Sequence, residues 1–147
     1  AFLDTLTFPY EVEDSSLVLM RLENGCQCVV QSNFNIPDEA AKWRLEVFGD
    51  QGRLVGENII GQIDGGTLDA LFCGEVGGYD AQQDTKDVKG EQIDVEFGNM
   101  YTREIESFGN SILNNLPLEV PAEDAVQVQR VMEAAYRSND EKCVVDL

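Results

Sequence analysis

The chain has no histidine and only ten basic residues. Without imidazole it lacks the side chain that most often serves as a general base and most often ligates zinc. Any chemistry done by these residues falls to carboxylates, Tyr, Lys or Cys. Set against 28 Asp and Glu, the shortage of Lys and Arg leaves a net charge of −18. Nucleic acids and anionic membranes need a basic footprint, so neither is expected as a partner. No apolar run approaches the roughly 20 residues of a membrane-spanning helix. The opening Ala1-Phe2-Leu3-Asp4-Thr5-Leu6-Thr7 has no basic stretch ahead of an apolar one, so it does not read as a secretory signal. A start without Met, directly in a strand-like pattern, is the start expected of a fragment.

Catalytic signatures are also missing. No G-x-G-x-x-G follows a strand and opens a helix, and the Gly-rich stretch Gly74 to Gly78 runs into a polar loop. There is no P-loop and no G-x-S-x-G elbow, and H-E-x-x-H is impossible without His. Asp80, Asp84 and Asp87 share a loop but lack the spacing of a calcium-binding EF-hand, so no metal site is expected. Among so many acids, pairs at glycosidase-like separations arise by chance, and a solvated acidic surface is the plainer reading. Of the four cysteines, Cys26 and Cys28 lie two apart in a strand-like stretch, on one face, where they cannot easily bond each other. Neither they nor Cys73 and Cys143 form the C-x-x-C halves of a zinc knuckle. Buried, reduced thiols and a cytoplasmic location are the expectation.

What is present is enough for a folded domain: 147 residues, 43% of them apolar. The sequence reads as a single domain over 1–147. Its first two-thirds is β. Phe2 to Thr7 is a strand ended by Pro9, and Ser16 to Glu23 is a second, with Val18, Met20 and Leu22 on one face and Leu17 and Leu19 on the other. Asn24-Gly25 then predicts a two-residue type I′ turn, with positive φ at both residues, and an antiparallel return over Cys26 to Phe34. Lys42 to Phe48 alternates Trp43, Leu45 and Val47 against Arg44, Glu46 and Phe48. A tight turn at Gly49 to Gly52 leads to a short strand over Arg53 to Glu57. Asn58 to Ile63 and Thr67 to Cys73 flank Gly65-Gly66 as a further hairpin. Gly74 to Gly90 reads as a long polar loop, and Gln92 to Phe97 as a last short strand before the helices.

From there the period becomes helical. Ile105, Phe108, Gly109, Ile112, Leu113 and Leu116 form one stripe, in which Gly109 would let another element come close. Pro117 ends that helix. A second helix is predicted to start with Pro121 as its first residue, with Glu123 and Asp124 in the first turn, Ala125, Val128, Val131, Met132 and Ala135 as its buried stripe and Asn139 just past its end. Cys143 to Leu147 reads as a terminal strand. The expected fold is α+β: an open, mainly antiparallel sheet with two C-terminal helices packed on one face.

The order of four segments resembles the C-terminal domain of the Gfo/Idh/MocA oxidoreductases, the glucose-fructose oxidoreductase and inositol dehydrogenase family. They are Glu13-Asp14-Ser15-Ser16 into Leu17–Glu23-Asn24-Gly25; Leu45-Glu46-Val47-Phe48-Gly49-Asp50-Gln51-Gly52; Tyr101-Thr102-Arg103-Glu104-Ile105-Glu106-Ser107-Phe108; and Val120-Pro121-Ala122-Glu123-Asp124-Ala125 through Glu133-Ala134-Ala135-Tyr136-Arg137-Ser138. Asn58 to Val95 carries no such likeness. The resemblance implies an NAD- or NADP-dependent enzyme acting on a sugar, polyol or related secondary alcohol, with the cofactor and the catalytic Lys in an N-terminal Rossmann domain whose motifs are missing from this sequence. It assigns this chain no catalytic and no cofactor-binding residue. Instead the chain would contribute a wall of the substrate pocket, a contact with its own Rossmann domain and a homo-oligomer interface through the sheet face. The wall candidates are the break after the second long strand, Asn33 to Asn35, and the helix entry, Asn99 and Tyr101, whose amides and phenol can donate to and accept from sugar hydroxyls. Capping by Asn99 and packing by Tyr101 are the plainer alternatives. A non-catalytic β-rich binding or scaffold protein is the competing reading. It would need an exposed aromatic platform, and the single Trp43 lies in a core-like alternation.

Overall fold

The computed structural model describes residues 1–73 and 90–147. The long-loop reading of Gly74 to Gly90, the Gly-rich stretch and Asp80, Asp84 and Asp87 fall on or within residues 74–89, outside the described residues. The class is α+β, and every strand pairing is antiparallel. The chain gathers into two compact units: Ala1–Ala41 with Pro117–Leu147, and Lys42–Leu116. The predicted β-rich region accordingly divides into a three-stranded and a four-stranded sheet.

The first unit holds β1 (Phe2–Asp4), β2 (Ser15–Arg21) and β3 (Gln27–Asn33) in sheet order 1-2-3, followed by a single 3-10 turn at Asp38–Ala40. The hairpin predicted at Asn24-Gly25 is there, with a different turn. Arg21 pairs with Gln27, Leu22 N–H donates to Cys26 O (2.9 Å) and Gly25 N–H donates to Leu22 O (2.9 Å). Among the described residues Asn24 is not one with positive φ, whereas Gly25 has φ 89°. This is a three-residue loop, a turn through Glu23 and Asn24 followed by a left-handed glycine, and not type I′. It moves the register by one residue: Met20 faces Cys28 and Val18 faces Val30. Cys26 stands opposite Leu22 at the mouth of the loop, just before β3, which holds Cys28.

The pairing sorts the side chains. Leu3, Ser16, Val18, Met20 and Val30 look toward α2 (Ala122–Glu141), which lies over this face. The helix presents Val131, Ala134, Ala135 and Ser138, at i, i+3, i+4 and i+7. Ala134 is buried, whereas Val128 and Met132 of the predicted stripe are exposed. Pro121 is the N-cap residue, one position before its predicted place, and the helix runs through Asn139 to a left-handed cap at Lys142 (φ 56°). Asn139 stays helical and its Oδ1 accepts from Leu3 N–H (3.2 Å). Beyond it, Cys143 to Leu147 forms no strand, because it finds no ladder partner; Val144 and Leu147 are exposed.

In the second unit β4 (Arg44–Gly49), β5 (Gly52–Glu57), β6 (Thr67–Phe72) and β7 (Glu91–Ile93) form a four-stranded meander. Leu45, Val47, Leu54, Leu68, Ala70 and Ile93 fall on one face, with Ala70 fully buried. Arg44, Glu46 and Glu57 meet on the other, at 2.7 and 3.8 Å from the guanidinium. Asn58 to Ile63, predicted as a strand, is part of the β5–β6 connection. Asn58 adopts φ 57° and ends β5, and Glu57 already pairs with Thr67. Trp43 stands just before β4, half exposed, its indole beside Gly61.

The predicted helix forms as α1 (Met100–Asn114). It is closed before Pro117 by Asn115 in the left-handed region (φ 51°), with Leu116 N–H donating to Ser111 O (2.9 Å). Its stripe is not covered: Ile105, Phe108, Ile112, Leu113 and Leu116 are exposed, and no atom lies within 4 Å of where a Gly109 Cβ would sit. Among the described residues none makes the expected close approach at Gly109. The cysteines also depart from expectation. All four are free thiols, but Cys26, Cys73 and Cys143 are exposed and Cys28 half-buried, since three of them lie outside the elements that would cover them.

Candidate functional site

Asp14 is the most enclosed polar residue described, 1% exposed, immediately before β2. The chain between β1 and β2 wraps around it. Leu6 N–H donates to Oδ1 (2.8 Å), and Thr7 and Phe8 N–H donate to Oδ2 (2.8 and 2.9 Å). Its own backbone ties both neighbouring strands, receiving Phe34 N–H (2.8 Å) and donating to Asp4 O (3.1 Å). The Leu6 hydrogen bond, opposed by burial and seconded by those from Phe8 and Thr7, holds the carboxyl below its ordinary value. Asp14 is thus a fixed anion that shapes a loop, with its oxygens turned inward to backbone and not toward a substrate.

Asn33 and Asn35 lie at the edge of that structure. Asn33 Oδ1 accepts from Ser15 Oγ (2.9 Å), and Asn35 Nδ2 donates to Thr7 Oγ1 (3.3 Å). Each amide is thus oriented by one hydrogen bond, Asn33 through its Oδ1 and Asn35 through its Nδ2. By register Asn33 shares the face of β2 and β3 opposite α2, with Leu17, Leu19 and Val29.

On the α2 side a cavity of about 210 Å³ is lined by Leu3, Val18, Met20, Val30, Val131 and Met132, among others. At its edge Tyr136 Oη donates to the Glu13 carboxylate, 2.8 and 2.6 Å from its two oxygens. That hydrogen bond, with burial and the carboxylate's charge, raises the phenol's pKa. The pair fastens α2 to the segment leading into β2. Nothing in the spacing of Glu13 and Tyr136 announces their meeting, since 123 residues separate them.

In the second unit Asn99 is the N-cap of α1. Its Oδ1 accepts from Thr102 N–H (3.0 Å) and Thr102 Oγ1 (3.3 Å). Arg103 folds back over Gly98 and donates to Glu96 O (3.3 Å) and Phe97 O (3.0 Å), which fixes the approach to the helix. Tyr101, in the first turn, is half exposed. Asn33 and Asn35 therefore belong to one unit and Asn99 and Tyr101 to the other. Among the described residues no group of three Cys, Asp or Glu side chains could hold a metal ion.

The match to a known family covers almost every residue. The family described as "Oxidoreductase family, C-terminal alpha/beta domain", the Gfo/Idh/MocA C-terminal domain, matches residues 2–147. The chain belongs to this oxidoreductase family. No curated protein and no solved structure gives a match. Membership covers residues 58–95 as well, which no motif ties to the family. Within the family domain, the sequence reading missed Asp14 as a loop organiser. Its signal was an Asp followed by two serines, at the end of a loop long enough to fold back onto it.

Proposed function

We propose that this domain forms part of the substrate-pocket wall and the homo-oligomer interface of an NAD(P)-dependent oxidoreductase acting on a sugar, polyol or related secondary alcohol. One observation carries the reading: a family domain matched over 2–147 that places an apolar cluster, Phe2, Leu17, Leu19 and Val29, among polar side chains on the sheet face turned away from its own helix. On that face Phe2, Leu19 and Val29 are 64, 65 and 67% exposed. An apolar face of this kind in a soluble protein marks an interaction surface. Asn33 and Asn35 stand at its end with amide groups suited to hydroxyls, and Asn99 and Tyr101 are the second set of candidate pocket residues.

The described residues do not fit the pyrophosphate of NAD(P). Such a group sits at a helix N-terminus entered through glycines. The start of α1 is already capped by Asn99, and α2 opens with Glu123 and Asp124, whose charges repel phosphate. The nicotinamide, which accepts or gives the hydride, would be held by a separate dinucleotide-binding half, and this domain's part is to position the alcohol. Calorimetric titration of the chain with NADH and NADPH tests this division of labour. The expected result is no saturable heat, and a dissociation constant in the low micromolar range would overturn it.

A further inference from the structure

We infer that Asn24 is a site of spontaneous deamidation in the folded protein, a chemical modification localised to the tip of the β2–β3 hairpin. Asn24 is the only asparagine in the chain followed by glycine. Both residues are exposed, and the space where a Gly25 Cβ would sit is open, so no neighbouring side chain crowds the loop tip. Asn24 Oδ1 accepts a hydrogen bond from Cys26 N–H (3.0 Å), which draws electron density from the side-chain carbonyl and favours attack on Cγ. Opposing this, Gly25 N–H donates to Leu22 O (2.9 Å), and that bond must open. It lies at the end of a hairpin, where fraying is least costly, and glycine's freedom in φ lets the nitrogen swing onto Cγ.

The step balances without any cofactor. The Gly25 nitrogen bonds to Asn24 Cγ, the Cγ–Nδ2 bond breaks, and ammonia leaves carrying the proton from the Gly25 nitrogen. Water then adds to one of the two carbonyls of the resulting succinimide and opens it, leaving either aspartate or isoaspartate at position 24. The two products differ in consequence. The aspartate keeps an acceptor for Cys26 N–H and adds one negative charge to a chain already at −18. Isoaspartate puts a side-chain carbon into the backbone between Leu22 and Cys26, whose N–H···O bond (2.9 Å) closes the hairpin, and so loosens the loop.

Other asparagines provide internal controls. Asn110 and Asn114 lie inside α1, and Asn115 precedes a leucine. Asp64-Gly65 can form the same ring, but a carboxylate is a poorer electrophile than a neutral amide and resists attack by the glycine nitrogen.

The test is peptide mapping by mass spectrometry after incubation of the folded protein at neutral pH and body temperature. A parallel sample is held unfolded in urea, and isoaspartate is read with an isoaspartyl methyltransferase. The expected result is the mass gain of NH2 replaced by OH on the Asn24 peptide. It should appear at least about tenfold faster than at any other asparagine, with methylation at the same place, and slow by a similar factor in Gly25→Ala. If Asn24 stays intact in the folded sample while the urea sample converts, the hairpin protects it and the inference fails. It fails equally if another asparagine converts first.

Discussion

Single residues set the local geometry of both units, and three make separate predictions. Asp14 carries a depressed carboxyl because Leu6, above all, and then Phe8 and Thr7 donate to it. A group whose folded pKa lies below its unfolded value stabilises the fold fully above that unfolded value, here the ordinary 3.8. The contribution is lost as pH falls from there through the folded pKa. Acid unfolding followed by circular dichroism should therefore show stability unaffected by Asp14 between neutrality and about pH 5, then a fall that is smaller in Asp14→Asn. Asp14→Asn should also unfold more easily at neutral pH, because an amide nitrogen replaces an acceptor facing backbone N–H groups. Equal acid profiles for the two proteins would contradict this account. At Gly25, φ 89° resists a β-branched side chain. Gly25→Val should lower stability by about 1 kcal/mol or more in a denaturant melt. Gly52 is a harder constraint, since a Cβ there would overlap the carbonyl oxygen of Leu71 on the neighbouring strand. Gly52→Ala should cost about 2 kcal/mol or more, because backbone, unlike a side-chain tip, cannot move aside cheaply.

At the scale of elements, the cap of α1 is the most direct test. Asn99→Ala removes the acceptor for Thr102 N–H and should reduce stability by about 1 kcal/mol, measurable as a lowered denaturant midpoint with unchanged slope. If Asn99 also contacts substrate in the full enzyme, the variant's KM rises by more than that loss of stability explains. Strands β2 through β5 are legible in the sequence because alternation and turn residues coincide there. What escapes is decided by contacts that no local pattern encodes. The Asn24-Gly25 dipeptide suits a two-residue turn, yet the pairing of Val18 with Val30 and Met20 with Cys28 uses three loop residues and leaves only Gly25 left-handed. Asn58 to Ile63 has the composition of a strand, but β6 takes the edge of β5 first. Cys143 to Leu147 has β-forming residues but pairs with none of the described edge strands. Of the candidate site, Asn35 is legible as a loop amide, whereas Asn33, expected in the break, is the last residue of β3, paired with Ser15. The Asp14 nest, closed within one loop, and the Glu13–Tyr136 bond, made across 123 residues, are not legible, because no local pattern announces either.

At the scale of the whole molecule, a net charge of −18 and a broad set of exposed apolar side chains pull in opposite directions. Charge disperses the molecules, and the apolar face of β1, β2 and β3 favours burial against another surface. A two-fold interface would reconcile them by keeping acids at its rim and Phe2, Leu17, Leu19 and Val29 at its centre. Salt should then strengthen association by screening the rim, the reverse of what an interface held by opposite charges would show. The central claim is that this oxidoreductase-family domain uses that face to bind a second copy. Sedimentation velocity at tens of micromolar protein and moderate salt tests it, comparing the native chain with Leu19→Glu, a substitution on the face away from α2. A dimer or larger species for the native chain and a monomer for Leu19→Glu, both folded by circular dichroism, is the predicted result. A strictly monomeric native chain, sedimenting identically to Leu19→Glu, would contradict it.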